Sequence, residues 1–177
     1  MYQLAGDSPK ITRGRLPAGD AGTKRTLAMM RELADQGARD LSVRETAIAV
    51  VRAAGAAAHD TRAELEALFR FVRDRVRFTG DILGVETLQG AGYTLRVMAG
   101  DCDDRAVLLV ALCRSIGLPV DMRFRAVALS ARNPSVFSHV YVVASVAGKR
   151  ISLDPTYKSN AMGWHHPNPN RFVEATA

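Results

Sequence analysis

The sequence predicts an α+β fold, and three observations carry that expectation. Amphipathic helical patterns with capping signals occupy most of residues 24–76. The stretch ending at Ile116 is apolar on nearly every face, which marks a helix enclosed by protein. Past Pro119 the apolar period changes from that of a helix to the alternation of strands. Helices first and strands afterwards argue for a helical layer packed on an antiparallel sheet.

Residues 1–22 are rich in Gly, Pro and Asp, show no period, and read as an extended N-terminal arm. A first helix is expected over Lys24 to Gln36, with Leu27, Met30, Leu33 and Ala34 on one face and a stop at Gly37. A second opens at the capping box Ser42-Val43-Arg44-Glu45 and stripes Val43, Ala47, Val50, Val51 and Ala54. A third opens at Thr61-Arg62-Ala63-Glu64 and stripes Leu65, Leu68, Phe69, Val72 and Val76. Four glycines between residues 79 and 99 read as a loop. The enclosed helix then runs from about Gly100 to Ile116 and stops at Gly117-Leu118-Pro119. Strands are expected over Val120 to Leu129, Ser138 to Val146 and Lys149 to Leu153, with an irregular tail from Lys158. With no repeat and no low-complexity linker, the 177 residues read as one domain.

Composition narrows the function classes. A formal charge of +6 invites a nucleic-acid reading. The arginines, however, are spread singly along amphipathic stretches beside acids, with no basic block or aromatic-interleaved stripe. The first ten residues lack the apolar segment of a signal peptide, and the longest apolar run, Ala106 to Cys113, is too short for a bilayer. A cytoplasmic location and free thiols are therefore expected. If Cys102 and Cys113 share the enclosed helix, about 16 Å along its axis separates them, too far for a disulfide or a common metal.

The chemistry concentrates at three places. Gly100-Asp101-Cys102-Asp103-Asp104 puts Cys102 in the first turn of the enclosed helix, with Asp101 suited to the N-cap and Asp104 to a capping box. A helix N-terminus favours a thiolate, while three nearby carboxylates oppose it. By itself the segment reads equally well as a buried cysteine among capping acids. His139, opening the second strand, can supply the compensating cation or base. Asp154 closes the third strand. If Ala147-Gly148 is a two-residue hairpin turn, Val146 faces Lys149 and Asp154 faces Tyr141. That register puts Asp154 one diagonal step from His139, where it would orient the imidazole; a slip of one residue would turn it away. His165-His166 with His139 and a cysteine could make a zinc set on paper, but the paired ligand spacing of zinc sites is missing.

These segments, in this order and on these elements, resemble the transglutaminase-like superfamily, whose core resembles that of papain. The resemblance spans roughly residues 60–157. It implies Cys102 as nucleophile, His139 as base and Asp154 as orienting acid, with no cofactor or metal. The whole chain is similar to small transglutaminase-like proteins of bacteriophages and prophages, through Leu16-Pro17-Ala18-Gly19 and Asp81-Ile82-Leu83-Gly84-Val85-Glu86-Thr87-Leu88-Gln89. The Cys102 backbone N–H is the first oxyanion donor expected, with Gln89 or Tyr93 as candidates for a second. The implied activity is thiol-dependent acyl transfer, with hydrolysis of a peptide, isopeptide or amide bond ahead of cross-linking and a protein or peptide as substrate. The competing expectation is a virion-associated assembly or host-interaction protein, with phage structural proteins as partners, whose triad is idle.

Overall fold

The computed structural model describes residues 16–80 and 87–177. Most of the predicted arm and residues 81–86 of the Asp81–Gln89 segment therefore lie outside the described residues. Helices α1 (Gly19–Gly37), α2 (Leu41–Ala53), α3 (Thr61–Arg75), α4 (Ala91–Val97) and α5 (Cys102–Ser115) precede most of the strands. The strands are β1 (Arg77–Phe78), β2 (Ala99–Gly100), β3 (Asp121–Ala128), β4 (His139–Val146), β5 (Lys149–Leu153) and β6 (Arg171–Thr176). Mixed helix and antiparallel sheet is the architecture that the sequence predicts.

Helix α5 is the centre. It packs against α1, α2, α3 and α4 on its helical side and against β4 on the sheet. Residues Asp103 to Cys113 are all buried, so the apolar pattern on every face does correspond to a helix without a water-facing side. Gly37 permits the close approach of its neighbours: a Cβ there would lie 2.5 Å from the Ala91 Cβ and 3.0 Å from that of Ala111.

The main sheet has the order β5-β4-β3-β6, all antiparallel. Phe124, Ala126, Val140, Val142 and Ala144 belong to the core shared with the helices, while Val127, Tyr141 and Val143 form a small cluster apart from it. Beside Tyr141, Glu174 accepts from Arg125 at 2.7 Å and also binds Arg150.

Four details correct the sequence expectations. Helix α1 starts at Gly19, so the last residues assigned to the arm are helical. Helices α2 and α3 are capped by Asp40 and Asp60, whose carboxylates accept from the Ser42 and Ala63 N–H groups. The capping residue thus lies just upstream of Ser42 and Thr61, where a carboxylate does the same work as a hydroxyl. The glycine-punctuated stretch 79–99 contains α4 and β2, and the tail contains β6, which pairs along β3 from Arg123↔Thr176 to Ala128↔Arg171.

Candidate active site

The site is built where the start of α5 meets the start of β4. Asp101 caps the helix, its carboxylate accepting from the Asp104 N–H at 3.3 Å while Asp104 accepts from the Asp101 N–H at 3.3 Å. This reciprocal capping box is the one predicted. Gly100 leaves room for it, since a Cβ there would fall 2.6 Å from the Asp104 Cβ. The two-residue pairing of β1 with β2 ties the end of α3 to Ala99-Gly100, immediately before the thiol.

His139 opens β4, an interior strand, and its side chain is only 10% exposed. The hairpin register is the predicted one: Val146 pairs with Lys149 and Val142 with Leu153 across Ala147-Gly148, both at positive φ. Asp154 follows directly, and its Oδ2 lies 2.8 Å from His139 Nε2. With Nε2 held by a carboxylate, Nδ1 is the imidazole nitrogen left to address a thiol. Burial pushes the Asp154 carboxyl up, but the contact with His139 and the Thr156 N–H outweigh it and hold the carboxyl below the usual range. Asn160 adds a bond from its side-chain amide to the Asp154 carbonyl at 3.1 Å.

Cys102 and His139 line one cavity of about 350 Å³. The Val140 backbone N–H, next to His139, donates to the Cys102 sulfur. Asp101 and Asp103 contribute carboxylates to the same cavity, and its other wall is Leu16, Pro17 and the first half of α1, including Thr23 and Thr26. Burial, then the Asp103 carboxylate and those of Asp101 and Asp154, push the Cys102 thiol well above its ordinary value against the pull of the Val140 N–H. Desolvation and like charge thus oppose the thiolate more strongly than the helix N-terminus favours it.

Of the residues singled out from the sequence, Cys102, His139 and Asp154 come together. Gln89 and Tyr93 do not line this cavity. Gln89 gives its backbone N–H and its Nε2 to the Asp104 carboxylate at 2.7 and 2.6 Å, anchoring the preceding loop to the capping box. Tyr93 is half-buried on α4 with the Arg96 guanidinium over its ring. The Cys102 N–H makes no hydrogen bond among the described residues, which leaves it available to an oxyanion. His165 is exposed, and His166 packs edge-on against Trp164. The carboxylates of Asp101, Asp103 and Asp104 lie within 4.8 Å of one another, and the capping network accounts for that proximity.

Sequence reasoning missed Arg105. One turn beyond the thiol and 3% exposed, its guanidinium donates to the carbonyls of Pro155 at 2.7 Å, Thr156 at 2.9 Å and Val76. It pins the backbone that follows Asp154 to the end of α3. The available signal was the helix pattern itself: a helix apolar on every face offers an arginine no route to water.

Comparisons with known proteins bear on the family and the fold. The model of the transglutaminase-like superfamily matches residues 44–166, a span that includes Cys102, His139 and Asp154. No curated protein gives a significant sequence match. Among solved structures, the fold is similar to that of a protein from Parabacteroides distasonis described as a candidate protease, with a TM-score of 0.56 at 12% identity. That match covers 82% of this chain and 31% of the other. A protein from Cytophaga hutchinsonii described as a candidate cysteine protease gives 0.49 at 18% identity, covering 76% of this chain and 51% of the other. A Rad4-Rad23 complex bound to a photoproduct lesion gives 0.48 at 12% identity, covering 80% and 39%. The chain thus spans between about a third and a half of the solved chains it matches.

Proposed function

The chain belongs to the transglutaminase-like superfamily, and from that premise we propose that it is a thiol-dependent acyl-transfer enzyme that hydrolyses a peptide, isopeptide or amide bond. The observation that carries the proposal is the 2.8 Å contact of His139 Nε2 with Asp154, made beside a cavity that His139 shares with Cys102.

In this reading the resting thiol is protonated and His139 acts as general base. As a substrate carbonyl settles over Cys102, Nδ1 takes the thiol proton and the sulfur attacks the carbonyl carbon. Negative charge on the carbonyl oxygen is met by the Cys102 N–H at the start of α5. The imidazolium, stabilised by Asp154, returns the proton to the leaving amine. Water activated by the same imidazole then releases the acid and regenerates the thiol. A protein or peptide is the substrate class that suits this chemistry.

A second reading has one observation in its favour. Burial and carboxylates push the Cys102 thiol up, the direction expected of an idle site in a virion-assembly or host-interaction protein. Alkylation separates the two. Iodoacetamide labelling followed by mass spectrometry has a built-in control in Cys113, which is fully buried on the same helix. Selective labelling of Cys102 that collapses in His139→Ala is the expected result. Cys102 labelling that is indifferent to the His139 substitution removes the catalytic reading and leaves the idle one.

A further inference from the structure

A second cavity, of about 290 Å³, opens beside the first turn of α5. Its lining includes Arg73, Arg75, Arg77, Arg105 and Lys158, opposed by the single carboxylate of Asp74. Of these cations, Arg73 alone makes an ion pair within 4.0 Å among the described residues: its guanidinium grips Asp74 at 2.7 and 2.9 Å and gives a further bond to the Asn160 carbonyl. Arg75, Arg77 and Lys158 are exposed and make no ion pair within 4.0 Å among the described residues. Cations outnumber the one carboxylate of this lining, and like charges in excess repel one another, a repulsion that a bound anion would relieve.

The interior of this cavity gives a second, independent indication. Arg105 is more than nine-tenths buried, and although its terminal nitrogens are occupied, its Nε has no hydrogen-bond partner among the described residues. A buried guanidinium N–H left unmatched is rare in folded proteins, because it loses water and gains nothing in return. The ring of Phe78, half exposed, lies over the same guanidinium with its centroid 5.6 Å from Cζ. The site thus combines a rigid, buried arginine, three uncommitted cations at the rim and an aromatic face.

We propose that this cavity binds the phosphate group of a small phosphorylated ligand. Guanidinium groups present paired N–H donors that match phosphate oxygens, and several of them arriving from different elements suit a dianion better than a single carboxylate. A half-open cavity of this size admits a small molecule, whereas a long basic stripe would suit a polymer backbone. The cations come from the end of α3, from β1, from α5 and from the loop after Asp154. The ligand would therefore add a further tie between segments that Arg105 and Arg73 already hold together.

The test uses the full chain and inorganic phosphate, titrated by calorimetry at constant ionic strength, with thermal melting alongside and acetate as a control anion. Saturable phosphate binding is expected, with a rise in Tm that acetate does not give. The Arg77→Ala/Lys158→Ala variant removes two exposed rim cations and should weaken phosphate binding at least tenfold. Cys102→Ala should bind phosphate as the wild type does, whatever becomes of the catalytic reading. Equal responses to acetate and phosphate would mean general screening and overturn the proposal. So would phosphate binding that is unchanged in the rim variant. A short single-stranded oligonucleotide that binds through the rim cations and is not displaced by phosphate would also overturn it, in favour of a nucleic-acid surface.

Discussion

Two cavities each draw on the first turn of α5, and they are lined by opposite charge. The one holding Cys102 presents Asp101 and Asp103, with no lysine or arginine among the described residues that line it. The one holding Arg105 gathers five cationic side chains around one carboxylate. Residues 102 and 105 are one helical turn apart, yet the guanidinium is turned to the carbonyls of Val76, Pro155 and Thr156 rather than to the sulfur. The difference teaches where the thiol must find its base. Arg105, in the same turn of helix, is committed to holding backbone, which leaves the imidazole of His139 as the one basic side chain among the described residues that line the Cys102 cavity.

Cys102→Ala is the sharpest way to separate the two regions. On the proposed function, thiol-dependent turnover should disappear altogether, a loss on the order of a thousandfold or more. Calorimetric phosphate binding at the basic cavity should persist. Loss of both together would mean that the two cavities are not independent.

Arg105→Ala attacks the element they share. It strands carbonyl oxygens of Val76, Pro155 and Thr156 in a buried setting and should cost about 3 kcal/mol or more of stability in urea unfolding. Arg105→Lys should recover only part, since one ammonium cannot reproduce the fork. A cost below about 0.5 kcal/mol, the size of an ordinary surface substitution, would show that Arg105 is no brace.

The acidic side of the comparison has a pH signature. Asp154 is held below the usual carboxylate range in the folded protein. An acid whose folded pKa is depressed binds its proton less readily folded than unfolded. Its contribution is therefore complete above the unfolded value, about 3.9, and is lost as the pH falls through the folded one. The stability difference between wild type and Asp154→Asn should therefore shrink from about pH 6 to about pH 3. A difference that is flat across that range would mean that the His139 contact does not stabilise the ionised carboxylate.

The smallest effect is expected far from both cavities. Ala147 sits at φ 48° in the hairpin turn, a conformation that alanine adopts at a cost. Ala147→Asn should raise stability by about 0.5–1 kcal/mol and leave phosphate binding and Cys102 alkylation unchanged. A change in either would show that the β4–β5 register reaches the site.

Much of the site could be read from the sequence because its parts are fixed locally. The capping box at Asp101 and Asp104 needs only four residues, and the hairpin turn converts a count along the chain into the His139–Asp154 contact. Features set by distant partners could not be read this way. Strand β6 pairs with β3 some fifty residues away, and its own alternation is half exposed. Helix α4 has only seven residues, with Gly90 at its N-cap and Gly92 within its first turn, both breakers in isolation, and it is held by packing on α1 and α5. Gln89 was placed near the thiol by its position in the chain, but the Asp104 carboxylate competes for its amide. Arg105 was hidden for a different reason: charged residues early in a helix usually face water, and here every direction is filled by protein.

The walls of the thiol cavity differ in how freely they can change over generations. One wall belongs to α5 and β4, where nearly every side chain is enclosed and a substitution disturbs the core. The other belongs to α1, which turns Lys24, Arg25 and Ala28 to water while Thr23 and Thr26 face the cavity half-buried. Descendants of such a chain can inherit the thiol and its base unchanged while drifting at positions 23 and 26. A lineage can then acquire a new preference in what enters the cavity through a handful of replacements on a single helix.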